Sequence, residues 1–257
     1  MIAVGVVLPT FRQTPDEALD VAHRAFAAGV DGVFCYDHLW PIGQPDRPAL
    51  APFPLLATLA ATVKDSPTAA GGPFFGTLVA RVGLVPNAVL LGQFTALAHL
   101  APGRVIAGLG TGDRLSEAEN RAYGIPYAPA AERRADMVDV ARALRDRGLT
   151  VWVAGGAAAR TEEARAAAVA LNVWNAEPDL VAGHSQGPRA VEVTWGGSPP
   201  KDEAVLMATV TDLAAAGASW VVFASPVDPD LLVAAARAAG TPTDGVWASS
   251  GDPETGS

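Results

Sequence analysis

The sequence contains very little lysine, and its overall charge is negative. Only Lys64 and Lys201 occur among 257 residues, and the formal net charge is −9 at pH 7. Proteins that bind nucleic acid present clustered lysine and arginine side chains to the phosphate backbone. The sequence offers no such basic stripe, so we expect no nucleic-acid partner.

Cysteine is equally scarce, since Cys35 is the single one. One cysteine can form neither an internal disulfide nor a CxxC pair, which is typical of a reducing compartment. Gly, Pro and charged residues interrupt every apolar stretch before it reaches the roughly 18 residues of a membrane helix. The first ten residues lack the basic segment and the cleavage site of a signal peptide. These features predict a cytoplasmic protein that does not enter a membrane.

The sequence does contain a regular alternation of short apolar runs and longer Ala-rich segments of helical period. Such short, β-branched runs are typical of buried parallel strands. The predicted strands are 2–8, 32–35, 75–79, 105–109, 150–154, 171–174, 190–195 and 220–224. The predicted helices are 15–28, 53–64, 88–100, 115–147 with a break near Pro126 and Pro129, 161–169, 178–184, 202–216 and 228–239.

Two α/β architectures share this alternation, the (β/α)8 TIM barrel and the doubly wound sheet. Eight units of about 32 residues each match the size of the barrel. A GxGxxG motif, which a dinucleotide-binding sheet would carry after its first strand, is missing. We therefore predict a single (β/α)8 TIM barrel over residues 1–240. Residues 241–257 are rich in Gly, Pro, Ser and Asp and are predicted to form a flexible tail.

Candidate catalytic residues follow the second predicted strand. In a TIM barrel the active site lies at the carboxyl ends of the strands, and Asp37 and His38 stand at such an end. Histidine is the usual general acid or base near neutral pH, and an adjacent carboxylate can orient its ring. A loop histidine beside a helix-capping aspartate is the alternative interpretation. We predict that His38 and Asp37 are catalytic.

Two glycine-rich segments follow the fourth and fifth predicted strands. Glycines let the backbone approach a ligand closely, and small residues before a helix N-terminus favour a phosphate group. The predicted ligand-binding residues here are Gly110, Thr111, Gly112, Gly155, Gly156 and Ala157. Asp113 places a carboxylate at the same end of the barrel and is the third predicted catalytic residue. Ordinary tight turns are the alternative explanation of both segments.

Several short segments match a known family in order along nearly the whole chain. The most specific ones are PNAV at 86–89, PGRV at 102–105, GLGTGD at 108–113 and YGIP at 123–126. They are joined by AGVDGVF at 28–34 with the following Asp37-His38, and by VAGG at 153–156 leading to Val173-Trp174. With these segments the chain resembles the bacterial luciferase-like superfamily of flavin- and coenzyme F420-dependent oxidoreductases.

The resemblance implies roles for the candidate residues. His38 would face the substrate and the cofactor ring as acid or base, Asp37 would support it, and Asp113 would lie near the ring, as in some deazaflavin dehydrogenases. A non-prolyl cis peptide in the third strand is a feature of the family. The residues expected to border the ring there are Gly76, Thr77 and Leu78, whereas the two glycine-rich segments would contact the ribityl phosphate end.

The resemblance also implies a function, with the cofactor left open. The leading hypothesis is an F420-dependent dehydrogenase or reductase that transfers a hydride between the deazaflavin and a small organic substrate. Ala80, where related enzymes often carry a hydroxyl, weakens this cofactor assignment slightly, and Asp113 strengthens it. The alternatives are an FMN-dependent monooxygenase, supplied with reduced flavin by a partner reductase, and a noncatalytic flavin-binding protein.

Further expectations concern assembly, metal and substrate. Relatives are often dimers, so a homodimer is expected. No carboxylate and histidine cluster has metal-ligand spacing, and no metal is expected. Only the short segment 196–200 joins the seventh predicted strand to its helix, so the usual lid insertion is missing. The sequence therefore does not identify the substrate.

Overall fold

The computed structural model describes residues 2–63, 72–155 and 158–240, apart from the side chains of residues 114 and 158–160. Eight parallel strands close into a barrel in chain order, because β8 pairs with β1. The strands are β1 (Ala3–Val7), β2 (Gly32–Cys35), β3 (Phe74–Arg81), β4 (Val105–Gly110), β5 (Thr150–Ala154), β6 (Ala170–Trp174), β7 (Val193–Gly197) and β8 (Ala218–Ala224). The predicted (β/α)8 TIM barrel is confirmed.

Helices separate the strands in the described part of the chain. They are α1 (Asp16–Ala28), α2 (Pro52–Thr62), α3 (Asn87–Leu100), α4 (Arg114–Ala122), α5 (Ala130–Arg145), α6 (Ala158–Ala167), α7 (Pro178–Ser185), α8 (Glu203–Ala215) and α9 (Pro229–Ala238). The predicted helix 115–147 is indeed broken at its prolines, and α5 begins directly after Pro129. None of these helices combines the length and the apolar character that crossing a bilayer requires.

Strand β7 begins three residues later than its apolar pattern predicts. The backbone N–H groups of Ala190 and Val191 donate to the carbonyl oxygens of Gly187 and His184, at the end of α7. These two residues therefore complete a turn after the helix, and the ladder with β6 and β8 starts only at Val193. Strand β3 differs in the other direction and continues to Arg81, two residues beyond its prediction.

Aromatic rings fill the barrel interior below the carboxyl ends of the strands. Phe34 stacks on Trp152 with the ring centroids 5.2 Å apart, and Trp220 packs edge-on against Phe34. A Cβ atom at Gly5 or Gly76 would lie 2.6 Å from the Phe34 ring, so both glycines make room for it. Because the interior is packed, a ligand can enter only at the mouth, where the strands end.

Candidate active site

His38 lies at the barrel mouth and is held by a carboxylate from a distant helix. Its Nδ1 atom is 2.7 Å from Oε1 of Glu119, a residue of α4. The Glu119 side chain is 1% exposed, whereas that of His38 is 24% exposed. An ionised carboxylate can only accept hydrogen bonds, so Nδ1 carries the hydrogen. In the neutral ring Nε2 is then the bare nitrogen.

The second oxygen of Glu119 accepts two further hydrogen bonds. The backbone N–H of Leu39 donates to Oε2 at 2.8 Å, and Nη2 of Arg81 donates to it at 3.0 Å. Burial raises the pKa of Glu119, but the hydrogen bonds from His38 and Leu39 and the charge of Arg81 lower it on balance. Glu119 is therefore ionised at neutral pH.

Arg81, the last residue of β3, connects the strand ends with α4. Its side chain is 5% exposed, and Nη1 donates to the carbonyl oxygen of Ser116 in α4 at 3.3 Å. Its backbone N–H donates to Oδ2 of Asp37 at 3.0 Å. A buried guanidinium needs a partner of opposite charge, and Glu119 provides it. His38, Glu119 and Arg81 thus form one array, which we call the His38–Glu119–Arg81 array.

Asp37 lies just after the end of β2, and its expected support of His38 stays a prediction. Its carboxylate accepts the N–H of Arg81, and the carboxylate that hydrogen bonds to the His38 ring is that of Glu119. Burial raises the pKa of Asp37 above its usual value, against the lowering effect of the hydrogen bond from Arg81. Asp37 therefore ties the end of β2 to the end of β3, next to the catalytic candidate.

Asp113 lies at the rim as the N-cap of α4. Its Oδ1 accepts the backbone N–H groups of Leu115 and Ser116 at 2.9 and 3.0 Å, and it forms a capping box with Ser116. Partial burial raises the pKa of Asp113, but the hydrogen bonds from Ser116 and Leu115 lower it on balance. The carboxylate therefore stabilises the start of α4, and the catalytic role of Asp113 stays a prediction.

The three residues of β3 expected to border a cofactor ring are not equally placed. Gly76 is covered by the Phe34 ring, and Thr77 is fully buried, with Oγ1 donating to the carbonyl oxygen of Gly108 at 2.8 Å. Leu78 packs on the inner wall, and the peptide bond between Leu78 and Val79 is cis, as the resemblance implies. Leu78 is 4% exposed, and the contact of these three residues with a cofactor stays a prediction.

The glycines of the β4 end are required by the packing of β3 against β4. A Cβ atom at Gly108 would lie 2.1 Å from the carbonyl oxygen of Thr77, and one at Gly110 would lie 2.5 Å from a Val79 methyl. Gly112 has φ +67° and turns the chain toward α4. The segment 110–112 reaches the rim as expected, and its contact with a cofactor stays a prediction.

The second glycine-rich segment is described only in part. Gly155 follows β5 with φ +146°, and its N–H donates to the carbonyl oxygen of Asn172 at 2.9 Å. Gly156 and Ala157 lie outside the described residues, as does the tail 241–257. The phosphate site expected at this segment therefore stays a prediction.

Three aromatic side chains form a rim beside His38, which we call the aromatic rim: Phe11, Tyr36 and Trp174. The rings of Phe11 and Tyr36 stack with centroids 5.7 Å apart, and Trp174 meets Tyr36 edge-on at 6.2 Å. Trp174 ends β6, is 43% exposed and lies over Gly196, where a Cβ atom would be 2.8 Å from its ring. Burial raises the pKa of Tyr36 to about 12, so its hydroxyl keeps its proton.

These residues fit a flat, largely apolar cofactor ring with polar edges. The exposed face of Trp174 offers a surface for stacking, and Leu78 adds an aliphatic wall. His38 and the Tyr36 hydroxyl supply the polar groups. Within the residues that the structure describes, no three His, Cys, Asp or Glu side chains are grouped to hold a metal ion.

No family model matches the chain, but curated proteins do. An F420-dependent glucose-6-phosphate dehydrogenase of Intrasporangium calvum is 32% identical over 145 residues, which are 56% of this chain and 42% of that protein. The matched part thus spans less than half the length of this relative. The sequence similarity therefore covers about half of this chain and less than half of the relative.

Solved structures with the same fold carry two cofactors. An F420-dependent secondary alcohol dehydrogenase, in complex with an F420–acetone adduct, superposes with TM-score 0.71 at 14% identity and covers 93% of this chain and 99% of its own. A type II Baeyer–Villiger monooxygenase component of Pseudomonas putida, in complex with FMN, gives TM-score 0.56 at 13% identity over 83% and 73%. The chain therefore shares its barrel fold with F420- and FMN-containing oxidoreductases, and about half of its sequence is similar to part of an F420-dependent dehydrogenase.

Proposed function

We propose that the protein is an F420-dependent oxidoreductase, in which a hydride passes between the deazaflavin ring and a small organic substrate. The observation that carries the proposal is the position of His38, whose Nδ1 is taken by Glu119 and whose Nε2 is left for proton transfer beside the aromatic rim. The F420-dependent relative and the F420-dependent structural neighbour support the choice of cofactor.

In the direction of substrate oxidation, His38 acts as the base. Its Nε2 accepts the proton of a substrate hydroxyl, the carbon–hydrogen bond breaks, and a carbon–oxygen double bond forms. F420, when bound, would supply the two-electron acceptor for the hydride. In the direction of reduction, protonated Nε2 returns the proton to the carbonyl oxygen. The aromatic rim keeps water away from the reacting atoms.

Cofactor titration tests the proposal directly. Purified protein is titrated separately with F420 and with FMN, and binding is followed by the quenching of cofactor fluorescence. We expect saturable binding of F420. Binding of FMN without binding of F420 would overturn the proposal.

The role of His38 is tested by substitution. His38→Gln should retain cofactor binding and lose most turnover, because the amide cannot transfer a proton. His23→Gln, at an exposed position of α1, is the matched control and should leave turnover unchanged. Unchanged turnover in His38→Gln, with cofactor still bound, would point to a different base, whereas cofactor binding without turnover in the unsubstituted protein would favour a noncatalytic flavin-binding protein.

An FMN-dependent monooxygenase is the second candidate. The FMN-containing structural neighbour favours it. Such an enzyme would need a partner reductase to supply reduced flavin. Oxygen consumption on addition of reduced FMN and candidate substrates separates the two: uptake coupled to substrate oxygenation supports the monooxygenase, and its absence supports the F420 enzyme.

We also propose that the protein forms a homodimer. Val89 and Leu100 of α3 are exposed and are eleven residues apart, about three helical turns, so they lie on one face. Covering this face with a second copy would remove both side chains from water. Light scattering coupled to gel filtration should give twice the mass of one chain, and Val89→Glu should shift it to the mass of one.

A further inference from the structure

We propose that Glu119 is a positioning residue that fixes the tautomer of His38 and thereby makes Nε2 its proton-transferring nitrogen. The proposal rests on the function proposed for His38. It concerns a residue that touches neither substrate nor cofactor, since the Glu119 side chain is buried beneath the ring that it orients.

The hydrogen-bond arrangement around Glu119 supports this assignment. Three donors meet the two carboxylate oxygens: the Nδ1–H of His38 on Oε1, and the Leu39 N–H and Arg81 Nη2–H on Oε2. Two of these donors cannot change their role, because a backbone amide and a guanidinium only donate. His38 alone could present either a hydrogen or a lone pair, and the ionised Oε1 selects the hydrogen.

The helix that carries Glu119 is itself fixed at its ends. Asp113 caps its first turn, and Arg81 binds the carbonyl oxygen of Ser116 in the same turn. In the last turn of the helix, Nδ2 of Asn120 donates to the carbonyl oxygen of Pro126, which follows the helix, at 3.1 Å. These contacts hold the Glu119 carboxylate in place, so that the ring of His38 has one preferred orientation.

Replacement by glutamine reverses the pattern. Glu119→Gln has a single side-chain oxygen, and the fixed donors Leu39 and Arg81 both require it at the Oε2 position. Its NH2 group then faces Nδ1 of His38, which must become an acceptor. The hydrogen of the neutral imidazole moves to Nε2, and the nitrogen at the mouth loses its capacity to accept a proton.

Nitrogen NMR on 15N-histidine-labelled protein without cofactor measures the tautomer. The signals of His38 are assigned by their loss in His38→Gln, and the tautomer is read from the separate 15N shifts of Nδ1 and Nε2 in the neutral ring. We expect Nδ1–H in the unsubstituted protein and Nε2–H in Glu119→Gln. Glu117→Gln, two residues away on the exposed side of α4, is the matched control and should keep Nδ1–H.

Steady-state kinetics with the bound cofactor provides the second measurement. Positioned proton transfer contributes about 10²–10⁴-fold to a rate, so Glu119→Gln should lower kcat by about 10²-fold or more. KM should change far less, because Glu119 does not touch the substrate. Glu117→Gln should retain both constants.

Two results would overturn the proposal. One is a neutral His38 with its hydrogen on Nε2 in the unsubstituted protein, a measurement that does not depend on whether any variant folds. The other is a folded Glu119→Gln that keeps Nδ1–H. If the tautomers behave as expected and kcat is unaffected in both Glu119→Gln and His38→Gln, the positioning role stands and the proposed acid–base role of His38 fails.

Discussion

Replacing Arg81 by methionine removes the cation from a buried ion pair while keeping a side chain of similar length. Arg81 and Glu119 are 5% and 1% exposed, and their closest atoms are 3.0 Å apart. Removal of one partner from a buried pair costs about 3–5 kcal/mol, since the other charge stays buried. Glu119 keeps its hydrogen bonds to His38 and Leu39, so we expect a loss near the lower end, about 3 kcal/mol.

Arg121→Met is the matched control on the same helix. Arg121 pairs with Glu117 at 2.8 Å, but its side chain is 79% exposed. Exposed pairs of this spacing contribute at most about 0.5 kcal/mol. The two substitutions remove the same chemical group from ion pairs of similar length, so the difference between them isolates the effect of burial.

Urea unfolding at neutral pH, followed by tryptophan fluorescence, gives the free energy of unfolding of each variant. At this chain length about 3 kcal/mol corresponds to a fall in Tm of roughly 6–12 °C, which thermal unfolding would register independently. If Arg81→Met loses no more free energy of unfolding than Arg121→Met, the buried ion pair does not hold α4 on the barrel, and the reasoning is refuted.

Four further predictions follow from the packing, the charges and the mouth of the barrel. Gly108→Ala should cost about 3 kcal/mol of unfolding free energy, the upper end of the usual range for overpacking, because its methyl would lie 2.1 Å from a backbone oxygen of β3. Gly92→Ala in α3, with no atom within 4 Å of the added carbon, should gain about 0.5–1 kcal/mol in the same urea experiment. The pKa of Glu119 is lowered, because hydrogen bonds and the Arg81 charge outweigh the raising effect of burial. The ionised Glu119 therefore stabilises the fold above pH 4.5, the ordinary pKa of a glutamate, and this stabilisation is lost as the pH falls further. Glu119→Gln should therefore flatten the decline of unfolding free energy between about pH 5 and pH 3, and an unchanged slope would contradict this. Trp174→Ala should weaken F420 binding about tenfold in a fluorescence titration, because a stacking surface that is 43% exposed is lost; an unchanged Kd would place the ring elsewhere.

Most of the fold was predictable because the periodicity of the sequence reflects local structure. Each strand is short, apolar and followed by a helical pattern, and the eightfold alternation led to the barrel without knowledge of any contact. The start of β7 was not predictable in this way. Ala190 and Val191, which precede β7, have side chains typical of a strand, but their N–H groups complete a turn after α7. Whether these residues join the strand or the turn depends on where α7 ends.

The candidate site was predictable only where it follows the strand ends. His38 and the rim glycines were found by their position, whereas Glu119 is 81 residues away from His38 and lies within a helix. A signal was nevertheless present. Ser116, Glu119 and Asn120 share one face of α4 by their spacing, and all three are buried. A helix whose buried face is polar must satisfy those groups against something other than an apolar core.

That polar face means that the contacts which hold α4 also orient His38, and a double substitution can separate the two effects. Replacing a buried ion pair by apolar residues of similar volume is often neutral or stabilising, so Arg81→Met with Glu119→Leu should recover most of the free energy lost in Arg81→Met alone. His38 would then lack the acceptor for its Nδ1–H. The kcat of the double variant should therefore be about 10²-fold below that of the unsubstituted protein, despite the recovered stability. Urea unfolding and turnover of the two variants measure both quantities. A double variant that regains stability and turnover together would mean that the array serves the fold alone.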